Sequence, residues 1–240
     1  MSKKTIVYWS VFSYPHLQSK FALFDLNPKS ISSYMVKNRA KKSLPANTYF
    51  SCSAFKKQFK NGYYFNYPLT TKIEFDDNGE IIRNTNDVNF YLPRESSLSN
   101  SNAADFDLGF LFFSEEDIEI MATPPYLHKT KTSETSFITA GSFNISKWFR
   151  PVMLTHHTFP GHNSISTVEG EPAVYLFFDT ENEIEFRKFV LSEKLYDYGK
   201  NCVELKLTHP FLSLEEMYRR FKNGKVDKMI LKEIKENLID

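Results

Sequence analysis

A chain of 240 residues with 30 basic and 29 acidic side chains carries a formal net charge of +1. That balance leaves no field to hold a polyanion, which excludes non-specific nucleic-acid binding as a driving role. Aromatics reach 16%, with 23 Phe and 13 Tyr against 8 Gly, a composition suited to half-buried pleated surfaces and to a core that stands without disulfides.

Cys52 and Cys202 show no metal-binding spacing and read as two buried free thiols of a reducing cytosol. No window approaches the ~18 apolar residues of a membrane span. Residues 1–12 lack a small-residue cleavage site and read as a strand, not a signal peptide. The expectation is a soluble protein with no membrane association.

Residues 5–12 predict a first strand, residues 21–24 another, and residues 30–39 a helix with Ile31, Tyr34 and Met35 on one face. Pro45 ends that region. Phe55 and Phe59 sit at i, i+4, the spacing of a helical turn. Asn61-Gly62 stops it, and residues 63–67 resume as strand. Residues 72–75 and 80–83 flank Asp76-Asp77-Asn78-Gly79, the clearest hairpin signal, because Asn and Gly both tolerate positive φ. Residues 94–105 are polar and read as a loop. Residues 108–113 are almost continuously apolar, the mark of a fully buried strand, and residues 118–121 alternate until Pro124-Pro125 breaks them.

Residues 128–136 read as a loop. Residues 137–178 supply about four strands, with a tight turn at Glu169-Gly170-Glu171-Pro172, and residues 183–190 supply one more. Toward the C-terminus, Ser192-Glu193 opens a short helix that Gly199 ends. Ser213-Leu214-Glu215-Glu216 is a capping box, and Asn223-Gly224 closes its helix. Residues 226–238 form an amphipathic helix. Gly161, Gly170 and Gly199 read as turn glycines. The predicted class is mainly β (α+β): a sandwich or barrel core over residues 1–191 with a polar loop near 94–105, then short helices in residues 192–240 packed on it.

Three constellations carry chemistry worth weighing. His156, His157 and His162 are close in sequence, but on a strand His156 and His157 face opposite ways. His156 and His162 would meet across the bend at Pro160-Gly161, with Glu169 the nearest acid, a weak set for zinc or iron. A hairpin with surface and half-buried histidines is the favoured reading. Ser114-Glu115-Glu116-Asp117 reads as a solvated strand exit, with Mg²⁺ binding the sharper alternative. Lys147-Trp148-Phe149-Arg150-Pro151 suits either stacking on a base or a proline, or a buried Trp-Phe pair with snorkelling cations, and the latter is favoured. There is no G-x-G-x-x-G, P-loop, H-E-x-x-H or G-x-S-x-G motif. No catalytic residue is assigned and no cofactor is expected.

The motif order resembles that of uncharacterised proteins of tailed bacteriophages, especially those of marine cyanobacteria. It runs Phe112-Phe113-Ser114-Glu115-Glu116, Thr123-Pro124-Pro125-Tyr126-Leu127-His128, Gly141-Ser142-Phe143-Asn144-Ile145, Lys147-Trp148-Phe149-Arg150-Pro151, Glu169-Gly170-Glu171-Pro172, and near the end Ile230-Leu231-Lys232-Glu233-Ile234-Lys235. That resemblance implies no activity. A shorter stretch, residues 141–146 with residues 169–174, resembles the late strands of dUTP pyrophosphatases and implies a β-clip or jelly-roll-like core. In that family an acid at the hairpin activates water. The matching position here is Asn144, which cannot act as a base, and the family's Arg-Ser-Ser motif is missing from its place.

The expected function is therefore that of a non-enzymatic phage protein, acting by binding a host or phage protein or as a particle component, in the host cytoplasm or the virion. Oligomerisation is compatible with this. Asn144, Lys147, Trp148, Arg150, His156 and His162 are the candidate contacts. The alternative is a small-ligand or metal-binding enzyme of β-clip or cupin-like form using His156, His162 and Glu169. A third reading lays the helix of residues 226–238 into a partner's groove.

Overall fold

Period-two alternation builds β1 (Lys4–Val11), with Val7, Trp9 and Val11 on one face and Ile6 and Tyr8 on the other. The computed structural model describes residues 3–12, 25–42, 52–84, 91–94 and 100–239. The predicted strand at 21–24, Pro45 and the middle of the predicted 94–105 loop lie outside them. β2 (Lys29–Ser30) leads into α1 (Ile31–Lys42), which buries Ile31 and Met35 as their spacing predicts. α2 (Ser53–Gln58) follows, with Phe55 and Phe59 rings 4.6 Å apart, and then β3 (Gly62–Asn66).

β4 (Thr71–Phe75) and β5 (Ile81–Asn84) form the predicted hairpin. Its turn needs one left-handed residue, not two. Gly79 has φ +81°, while the Asp76 carboxylate accepts from the N–H groups of Asn78 and Glu80 and braces the rest.

β6 (Tyr91–Arg94) pairs with β7 (Ala103–Phe113), so both ends of the predicted loop are strand. Pairing on both sides of β7 buries Ala103, Ala104 and Asp105 even though the stretch lacks large apolar groups. β8 (Glu119–Thr123), a single helical turn α3 (Thr132–Thr135), β9 (Ser136–Ile138), β10 (Gly141–Asn144), β11 (Pro151–Thr158), β12 (Ser164–Thr167), β13 (Pro172–Phe178) and β14 (Glu183–Lys188) follow. The turn and β9 begin inside the predicted 128–136 loop.

The helical end departs from expectation at Gly199. α4 runs from Glu193 to Thr208, straight through that glycine. A Cβ there would collide with the Phe12 ring, which stacks on Tyr196 with centroids 4.9 Å apart. The glycine makes room for a neighbour and does not end the helix. α5 (Leu214–Asn223) starts at Ser213, whose hydroxyl accepts from the Glu216 N–H. The Glu216 carboxylate turns to Arg219 and Arg220 and leaves the box half closed. The left-handed residue after α5 is Lys225 (φ 55°), and α6 (Val226–Glu236) begins there.

The described residues are mainly β, in three sheets. One has the order β14-β1-β7-β11-β9, with β6 also on β7; a second has the order β10-β8-β13-β3-β2; a third has the order β12-β4-β5. The main core lies between the first two and is closed by the third, as Trp9, Phe110, Phe65, Leu176, Ile73 and Ile165 show. Tyr8, Leu111 and Phe113 face outward from the first sheet and are covered by α4, α5 and α6 through Leu195, Met217, Phe221, Ile230 and Ile234. On the far side, Tyr175 and Phe177 of the second sheet are covered by Ile31 and Met35 of α1, with Phe59 just past α2. The order is helices, sheet, sheet, helices. Ile230 and Ile234 are fully buried in this packing, so the apolar face of α6 is occupied by its own sheet and is not offered to a partner's groove. Among the described residues no helix is long and apolar enough to cross a membrane.

Candidate functional site

The sequence candidates separate into two places. Asn144, Lys147, Trp148 and Arg150 converge where β10 turns toward β11 under α5. His156 lies in the interior and His162 on an exposed turn.

His156 is consumed by the fold. Its Nδ1 donates to the Leu154 carbonyl at 3.1 Å, which leaves Nε2 to accept from the Tyr67 hydroxyl at 2.8 Å. Burial depresses its pKa to about 4, so the ring is neutral at pH 7. His157 faces the other way, stacked on Phe137 with centroids 5.6 Å apart, as strand alternation predicts. His162 and Glu169 are exposed. Among the described residues no three His, Cys, Asp or Glu side chains gather as a metal site, so His156, His162 and Glu169 do not form the weak set weighed above. The acids after β7 disperse too: Glu115 meets Lys235 at 3.0 Å, Glu116 accepts from Thr5 at 2.8 Å, and Asp117 meets Lys147 at 2.6 Å. Neither cysteine is bridged, and Cys52 is exposed, not buried.

Asn144 ends β10. Its Oδ1 accepts from the Ser146 N–H at 3.0 Å and hydroxyl at 2.8 Å, and its Nδ2 donates to Asp117. Its backbone N–H donates to the Tyr218 hydroxyl at 2.9 Å. An acid at this position would face the Asp117 carboxylate. The Lys147 ammonium, with help from Asn144, holds the Asp117 carboxyl below the usual carboxylate range. Trp148 and Phe149 are buried beneath α5, with Trp148 6.3 Å from the Tyr218 ring. Lys147 and Arg150 stay partly exposed, as the snorkelling reading predicts, although residues 145–147 form a turn and not a strand.

Arg150 stands apart. Its guanidinium carbon lies 5.1 Å from the Phe143 ring centroid, and its buried Nε has no hydrogen-bond partner among the described residues. Burial lowers its pKa, and burial raises that of Tyr218 beside it. No acid among the described residues pairs with it.

The outer face of the second sheet was not legible as a site. The helices α1 and α2 cover it over β13 and β3 and leave it open over β8 and β10. There Met121 is 44% exposed, and a cleft of about 620 Å³ runs from α2 to the β10 edge, with Phe177 and Met121 in its floor and Ser142, Glu119 and Lys57 among its walls. The only sequence signal was the alternation of β8, which put Glu119 and Met121 on the face away from Ile120. A cleft of this kind suits an apolar side chain presented on a polar backbone. No protein-family model matches the chain, and no curated protein matches it.

Proposed function

We propose that this chain is a non-catalytic binding protein whose partner is another protein, engaged over the open half of the second sheet. One observation carries the reading: Met121 is 44% exposed in the floor of an uncovered cleft beside Phe177, within a sheet face that is elsewhere sealed by α1 and α2. Exposing a large apolar side chain in a concavity forgoes about 25 cal/mol for each Å² left in water, which a partner's side chain would recover. An ion pair edges the same cleft, Lys57 with Glu181 at 3.5 Å, giving an apolar centre with a polar rim. The resemblance of the motif order to tailed-phage proteins gives the biological frame, with the partner a phage or host protein met in the infected cell or the virion.

Panning a random peptide library tests the reading. Wild type enriches a family of apolar-containing sequences. Met121→Lys weakens their binding at least tenfold, and Ile82→Lys, at an exposed site on β5 (65% exposed), leaves it unchanged. Failure to enrich any sequence, or equal binding by Met121→Lys, overturns it.

A further inference from the structure

Resting on that binding reading, we propose that the free edge of β10 receives an extended peptide segment by strand addition, and that Arg150 with the Tyr218 hydroxyl takes a carboxylate carried by the segment.

The edge follows from alternation. β10 is the terminal strand of its sheet. The Ile145 N–H points inward to the Ile118 carbonyl at 3.0 Å, while the Asn144 N–H points outward to Tyr218 at 2.9 Å. Successive residues of a strand face opposite neighbours, so Phe143 faces β8 and Ser142 faces away from it. Ser142 is exposed, and its outward N–H and C=O meet no partner among the described residues. Tyr218 closes the edge at Asn144, so pairing is offered at Ser142 and stops there. Ser142 also lines the cleft. A strand laid on this edge would therefore put alternate side chains over Met121.

The carboxylate follows from charge. Of the five arginines with described side chains, four pair with glutamates: Arg83 with Glu74 at 3.9 Å, Arg187 with Glu185 at 2.8 Å, and Arg219 and Arg220 with Glu216. Arg150 is the least exposed of the five and pairs with no acid among the described residues. Lys147 and Lys222, the two lysines that act on Asp117, are already engaged, Lys147 with Asp117 and Lys222 with Asp227 at 2.8 Å. A guanidinium withdrawn from water without an anion is costly to the free protein, and a planar carboxylate is its natural complement. The Tyr218 hydroxyl accepts from Asn144, and its own proton meets no acceptor among the described residues, which leaves a second donor beside Arg150.

The test uses peptides selected on wild type. Each is synthesised as free acid, as C-terminal amide, and with internal Asp and Glu replaced by Asn and Gln, then titrated against wild type, Arg150→Gln, Arg150→Lys and Tyr218→Phe. Loss of one carboxylate is expected to weaken binding to wild type at least tenfold and to have little effect on Arg150→Gln. The amide arm separates a C-terminal carboxylate from a side-chain one. Backbone N-methylation is expected to abolish binding only at the peptide residue whose N–H meets the Ser142 carbonyl. Arg150→Lys, which keeps the charge but loses the planar fork, falls between and serves if Arg150→Gln does not fold. Equal carboxylate effects in wild type and the Arg150 variants, or no N-methyl position that abolishes binding, overturn the inference. If binding still requires Met121 in that case, the binding reading survives. If no peptide binds wild type, both fall.

Discussion

The backbone N–H of Asn144 and the hydroxyl of Tyr218 meet at 2.9 Å, and through them a helix side chain closes the edge of a sheet. The contact ties α5 to β10, while Asn144's own side chain ties β10 to Asp117 and Ser146. Tyr218→Phe removes one hydrogen bond and is expected to cost about 1 kcal/mol. Asn144→Ala removes the bonds that shape the following turn and is expected to cost about 2 kcal/mol. Urea unfolding of the two variants and the pair checks both values. Because the two residues touch, the double variant is expected to cost less than the sum.

Asn144→Asp places a carboxylate against Asp117, which Lys147 already holds ionised. Repulsion raises the carboxyl pKa of the folded pair above its unfolded value, so the folded state holds more protons and stability falls as pH rises through about 4. The variant is therefore expected to be closest to wild type below about pH 4 and clearly weaker at pH 7. Denaturation at several pH values reads the sign. The variant is also expected to show no nucleotide turnover.

His156 is neutral in the folded state because burial depresses its pKa to about 4, against 6.5 when unburied. Between those values the unfolded chain binds a proton that the folded one refuses, so stability is full above about pH 6.5 and declines as pH falls toward 4. The full shift corresponds to about 3 kcal/mol. His128, depressed to about 4 by burial but only half buried, adds a smaller contribution of the same sign. His156→Gln is expected to be less stable at pH 7 yet to show a shallower decline between pH 6.5 and 4.5. An unchanged slope would remove His156 from this account.

Gly199→Ala sets helix propensity against packing. In an exposed helix the change gains about 1 kcal/mol. Here the new methyl meets the Phe12 ring, and overpacking of this kind costs about 1–3 kcal/mol. A net loss of melting temperature is expected, with partial recovery in Phe12→Ala/Gly199→Ala relative to Phe12→Ala alone. The recovery separates a steric clash from a general intolerance of substitution.

Local chemistry made much of the fold legible. The hairpin at Asn78-Gly79, the cap at Ser213, the α1 face at Ile31 and Met35 and the apolar run in β7 each depend on neighbours in sequence, and each element forms, although the turn uses positive φ at Gly79 alone and the box at Ser213 closes on one side only. What failed depended on partners far along the chain. Ala103–Asp105 looked like loop because pairing with β6 and β11, and not side-chain bulk, buries it. Gly199 looked like a stop because Phe12 was invisible from its position. At the candidate site, Lys147-Trp148-Phe149-Arg150 was legible as buried aromatics between exposed cations. Nothing local showed that Lys147 has an acid while Arg150 has none among the described residues, nor that α1 and α2 pack over β13 and β3 and not over β8 and β10.

Hydrogen exchange across the whole chain, with and without a saturating peptide selected on wild type, reads the β10 edge itself. Slowed exchange is expected at Ser142 and along β8, with the buried first sheet unchanged, and the protection is expected to be lost in Met121→Lys. Protection confined to other surfaces, with Ser142 exchanging as fast as in the free protein, would contradict peptide binding at this edge.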